Sequence, residues 1–138
     1  MSRLALPRNV VNHILHHAQT APEDEVCGLI GVGTGGAVRV YPVLNVASDT
    51  HHLFAMEPKG QIDAMRKMRE AGESLFAIYH SHPHSPATPS VTDLQQAAYP
   101  DALYLIISLD TKGVLEMRGY RLREREVESV ELELLEGS

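Results

Sequence analysis

The chain has 138 residues, 43% apolar and 22% charged. That composition suits one folded domain of about 150 residues and excludes a disordered tail, a collagen-like repeat or a coiled coil. Its 12 Lys and Arg against 18 Asp and Glu leave a net charge of −6; with no basic run and no Trp, neither a phosphate backbone nor stacked bases would find a matching surface.

The first segment, through Pro7, is too short an apolar stretch for a secretion signal. Val11, Ile14, Leu15 and Ala18 then follow the i, i+3, i+4, i+7 period and predict an amphipathic helix over residues 8–19, with Pro7 at its first turn. His13, His16 and His17 lie near that stripe; His13 and His17 alone are four apart, so they read as solvent-facing rather than as ligands. Residues 25–32 read as a strand, and the lone Cys27 within it as a packing residue, since it has no partner for a disulfide and no Cys-His-Asn arrangement around it. A thiol without a disulfide fits a reducing compartment. No apolar run could span a bilayer, and cytoplasm is the expected location.

Gly31 to Gly36 match G-x-G-x-x-G. A phosphate loop needs a helix next, whereas residues 37–44 alternate with period two, so a β-hairpin is expected. Residues 45–54 read as irregular. Residues 57–71 read as a helix with Ile62, Met65 and Met68 turned inward and Gly72 as its stop. The apolar run Leu75 to Tyr79 predicts a strand buried on both faces. A Pro-rich loop to Pro89, a short helix from Ser90, a buried strand over 103–109 and a turn over 110–113 follow. Alternation and charge predict edge strands over 114–122 and 127–135, and make the acidic stretch 124–136 a solvated face. One domain over residues 1–138 is expected, of α/β (α+β) class, with a single mixed β-sheet flanked by helices. An exposed edge strand leaves a homodimer open.

The chemistry is concentrated in residues 79–93. His80 and His82, two apart at the end of a buried strand, point the same way and can each reach about 2.0–2.1 Å from one zinc ion, while Ser81 faces away. Prolines 83, 86 and 89 stiffen the loop that returns the chain. Ser90 and Asp93 read as a capping box, a role compatible with Asp93 as third ligand. Two histidines and one aspartate leave a fourth tetrahedral position for water, the pattern of a catalytic zinc site.

His80-Ser81-His82, seven residues, Ser90, two residues and Asp93 resemble the signature of the JAMM (MPN-plus) zinc metallopeptidases, of the short bacterial type. Glu25 ahead of Val26-Cys27-Gly28-Leu29-Ile30-Gly31 resembles the family's upstream glutamate, and Asn45 and Phe54 to Pro58 are further points of likeness. The resemblance covers about residues 7–120 and implies a cytidine-deaminase-like JAMM/MPN fold. It also implies Zn2+ held by His80, His82 and Asp93, with Glu25 as general base and then acid and Ser90 as oxyanion donor. The implied reaction is hydrolysis of a peptide or isopeptide bond after the C-terminal Gly-Gly of a ubiquitin-like protein; the chain's small size favours a sulfur-carrier protein as partner. Glu23 and Asp24 flank the expected base at the wrong spacing, and His84 reads as a solvated loop residue. A silent scaffold of the same fold would typically lack ligands that are present here. A two-His-one-carboxylate iron enzyme would leave Glu25 and Ser90 without a role.

Overall fold

The structure is a computed structural model that describes residues 2–110, 115–123 and 126–135. In chain order its elements are β1 (Ser2–Pro7), α1 (Arg8–Thr20), β2 (Cys27–Gly33), β3 (Val38–Val43), α2 (Pro58–Glu70), β4 (Glu73–His82), α3 (Val91–Gln96), β5 (Leu103–Ser108), β6 (Glu116–Arg123) and β7 (Glu126–Leu135). Among the described residues, seven strands form one mixed sheet in the order β1-β7-β6-β5-β4-β2-β3. The β1–β7 and β4–β5 pairs are parallel and the others antiparallel. The expected α+β class with a single mixed sheet is what the chain adopts.

Each face of the sheet has its own apolar layer, because alternate strand residues point to opposite sides. On one face Val10, Val11, Ile14 and Ala18 of α1 meet Ile30, Tyr79, Leu105 and Ile107. On the other, Ala64 and Met68 of α2 meet Leu29, Ile78, Tyr104 and Ile106. His80 and His82 continue the row of Ile78, so they emerge on the α2 side of β4, next to the middle of the sheet.

The hairpin replaces the phosphate loop as expected: Gly33 N–H donates to the Ala37 carbonyl, and Gly36 sits at φ +86, where a side chain would be strained. The structure departs from the sequence reading at several points. The N-terminal segment, to which the sequence assigned no element, is a strand; it adds parallel to β7, with Arg3 against Glu131 at 3.2 Å. As a result β6 and β7 are interior strands and the sheet edges are β1 and β3. Met68 turns inward as expected, but Ile62 is 65% exposed and Ala64 takes the inward position beside Met68. His17 is half-buried, with its Nδ1 2.7 Å from the Tyr79 hydroxyl, while His13 and His16 face solvent. Residues 111–113 of the expected turn lie outside the described residues, as do 124–125 and 136 of the acidic stretch.

Candidate metal centre

Two kinds of anchor bring the site residues together. The first fixes the Pro-rich loop: Ser108 Oγ donates to the Ser85 carbonyl at 2.8 Å, and the Tyr120 hydroxyl donates to the Ala87 carbonyl at 2.6 Å. Ala87 is fully buried, so the loop is packed onto the sheet and delivers Ser90 and Asp93 above the end of β4. There Ser90 Oγ accepts from Asp93 N–H at 3.0 Å and Ser90 N–H donates to Asp93 Oδ2 at 2.9 Å, a complete capping box at the head of α3.

The second set of anchors fixes Glu25. The strand begins at Cys27, two residues later than the sequence suggests, so Glu25 lies just ahead of the ladder and is held by other means. Its N–H donates to the Thr50 carbonyl at 2.7 Å, and its carbonyl accepts from Asn45 Nδ2 at 2.9 Å. The next residue, Val26, donates to Ser81 Oγ at 2.9 Å and accepts from Ser81 N–H at 3.0 Å. Ser81 thus faces away from the histidines, as its position in the strand predicts, and secures the glutamate from the opposite side of the sheet.

The donor atoms form a nearly equilateral triangle. His80 Nε2 and His82 Nε2 are 3.1 Å apart, and each is 3.2 Å from Asp93 Oδ2. Ligand atoms about 2.0–2.1 Å from a tetrahedral zinc would stand roughly 3.3 Å apart, so the separations fit one small cation. His82 Nδ1–H donates to the Pro86 carbonyl at 2.8 Å. Burial disfavours a charged His82, but the bonds to Asp93 and to the Pro86 carbonyl outweigh it and raise the ring, so positive charge is favoured between Nε2 and Asp93, either as a proton or as a cation in its place. A carboxylate oxygen of Glu25 comes within 4.8 Å of both histidine donors, and Glu25 Oε1 and His80 Nδ1 are buried with no hydrogen-bond partner among the described residues. A buried polar atom without a partner is costly unless a bound species completes it.

Electrostatics follow from this crowding. Burial raises Glu25 to about 7, with Asp93 and Asp49 adding to the shift and His82 opposing it. Burial also favours protonated Asp93, but the bonds to His80 and His82 outweigh it and hold that carboxyl well below the usual range. Desolvation lowers His80 and keeps it neutral. Around this centre, Glu23 is exposed and paired with His84 at 3.0 Å, and Asp24 accepts from Thr50 Oγ1 at 2.7 Å. Cys27 is buried, its thiol pushed up to about 12 by desolvation, which removes it as a nucleophile.

The structure therefore brings Glu25, His80, His82, Ser90 and Asp93 to one place. The sequence reading gave no role to Asn45 or Phe54. Asn45 is a hub: Nδ2 donates to the Glu25 and Leu53 carbonyls, and Oδ1 accepts from Ala47 and Ala55 N–H. The likeness to the family marks both positions without a role; locally, an Asn bonding its own backbone two residues on is the signal that points to a structural one. Phe54 stacks on His80, with ring centroids 4.4 Å apart.

A mixed sheet with this donor set at its centre defines a candidate mononuclear metalloprotein. The family described as prokaryotic homologs of the JAB domain matches residues 7–123, and the chain belongs to it, among the short JAMM/MPN proteins. It is 34% identical to the desampylase of Haloferax volcanii, over 91% of this chain and 96% of that one. It is 32% identical to the CysO-cysteine peptidase of Mycobacterium bovis, over 86% and 82% of the two chains. A protein of Desulfitobacterium hafniense, solved in solution, superposes with a TM-score of 0.83 at 34% identity, covering 96% of this chain and 93% of that one. No described helix is long and apolar enough to cross a membrane.

Proposed function

We propose that the chain is a zinc-dependent metallopeptidase that hydrolyses the peptide or isopeptide bond after the C-terminal Gly-Gly of a ubiquitin-like or sulfur-carrier protein. The observation that carries this reading is the triangle of His80 Nε2, His82 Nε2 and Asp93 Oδ2 with the buried, half-unpartnered carboxylate of Glu25 within 4.8 Å of both histidines. The relatives named as a desampylase and a peptidase support a hydrolase. His80, His82 and Asp93 would hold the ion, which when bound supplies a Lewis acid able to lower the pKa of water to about 7.

Glu25 takes the proton of the attacking water and passes it to the departing amine. Burial strengthens the hold of that carboxyl on a proton, which suits a group that must take one and give it up again. The Ser90 hydroxyl steadies the oxyanion: Oγ spends a lone pair on Asp93 N–H, which leaves its own O–H free to donate. One such donor is worth about 3–4 kcal/mol. The test is elemental analysis of the purified protein together with cleavage of a panel of carrier proteins extended beyond Gly-Gly by a peptide bond or joined to lysine. One zinc per chain and release of the Gly-Gly terminus are expected. Bound zinc without cleavage of any member would indicate a scaffold, and absence of metal would overturn the site.

A further inference from the structure

We propose that Phe54 is a positioning residue for His80, holding that imidazole by ring stacking where a hydrogen bond holds His82; the proposal rests on the metal-centre reading above. The two histidines are supported unequally. His82 is fixed at Nδ1 by the Pro86 carbonyl at 2.8 Å. His80 is 1% exposed, yet its Nδ1 has no hydrogen-bond partner among the described residues. Rotation of an imidazole about its last side-chain torsion is soft and broadly two-fold, so without a bond at Nδ1 something else must set the ring plane.

Phe54 is placed to do so. Its ring lies over the His80 ring with centroids 4.4 Å apart and planes 23° apart, close to the offset-stacked arrangement, and His82 meets the same ring edge-on at 4.9 Å. A face-to-face neighbour opposes tilt of the ring out of its plane, and within that plane the partners at Nε2, Asp93 and His82, select the flip. Phe54 is itself clamped through its neighbours, since Asn45 Nδ2 donates to the Leu53 carbonyl at 2.9 Å and Oδ1 accepts from Ala55 N–H at 3.0 Å. The same Asn45 amide holds the Glu25 carbonyl, so one side chain sets both the stacking ring and the residue facing the donors. Phe54 also lines a cavity of about 160 Å³ with Leu29, Met56, Ile78 and Tyr104. Peptide turnover would mix that wall's effects with the metal's, so metal affinity is the cleaner measure.

The experiment uses the full chain stripped of metal, with zinc affinity measured by competition against a chromophoric chelator and the ligand field read from the absorption of the cobalt(II) form. Phe54→Ala should weaken zinc binding about tenfold or more, the usual cost of removing a group that orients a ligand, and alter the cobalt spectrum. Phe54→Tyr keeps the ring and should stay near wild type in both. Phe54→Leu fills the volume without a stacking face and should fall with alanine; with Tyr it decides the question even if the alanine variant folds poorly. Wild-type affinity in Phe54→Ala, or in Phe54→Leu, would overturn the stacking role while leaving the metal centre standing. Failure of the wild-type chain to bind either metal would overturn the metal centre and this proposal with it.

Discussion

Glu25 shows how burial and a missing partner together define a reactive group. It is 5% exposed, its Oε1 has no donor among the described residues, and desolvation lifts its carboxyl to about 7. A structural glutamate in that position would be expected to find an N–H or a cation, because an isolated buried carboxylate is expensive. Glu73 illustrates the contrast at the far end of the same sheet, its buried carboxylate accepting from the Tyr41 hydroxyl at 2.6 Å. Glu25→Gln keeps the shape and the backbone anchors at Thr50 and Asn45 but cannot take a proton. It should retain zinc at one per chain while hydrolysis falls at least a hundredfold, in line with the usual weight of a positioned acid–base group. Zinc content by elemental analysis and initial rates on a Gly-Gly fusion check this; undiminished turnover would remove Glu25 from the mechanism.

At the level of elements, α3 carries two functions in one turn. Its Ser90–Asp93 box is the complete cap that the sequence spacing predicts, and the same Asp93 oxygen that accepts from Ser90 N–H meets both histidines. Ser90→Ala removes a cap, worth roughly 1 kcal/mol of stability, and also the free hydroxyl. If the hydroxyl serves the oxyanion, turnover should drop about 10²–10³-fold with zinc retained, and Ser90→Thr should recover most of it. A lowered melting temperature with unchanged turnover would leave capping as its sole role. What was legible in sequence divides along the same line. The His80, His82, Ser90 and Asp93 set and its elements could be read because each choice is local: a two-residue strand period, stiff prolines, a four-residue cap. The placement of β1 beside β7 could not, since it joins residues 128 positions apart through the Arg3–Glu131 pair. Without that partner, β6 and β7 read as edges, because alternation with charge looks the same on an edge and on an interior strand with one wet face. Asn45 and Phe54 stood out only as points of likeness, and their roles stayed unread for a similar reason: an irregular loop has no period, and its meaning lies in what it touches.

For the molecule as a whole, the donor triangle joins pieces that would otherwise be weakly coupled. Two donors stand on β4 in the middle of the sheet, and the third heads a six-residue helix that has no buried residue of its own. An ion bound there would link the helix to the core and would bind the folded chain far better than the unfolded one. At a free zinc concentration a hundred times its Kd, that linkage is worth about 2.7 kcal/mol. For a domain of this size such a contribution shifts the melting temperature by roughly 5–15 °C. Treatment with a strong chelator should lower Tm by that amount, and stoichiometric zinc should restore it. Glu25→Gln should show the full shift, since its carboxylate is outside the triangle, whereas Asp93→Asn should lose most of it. Calorimetry on the three proteins, with and without chelator, separates the outcomes. An equal shift in wild type and Asp93→Asn would place the ion elsewhere, and no shift in any of them would mean that the native fold does not depend on a metal at this site.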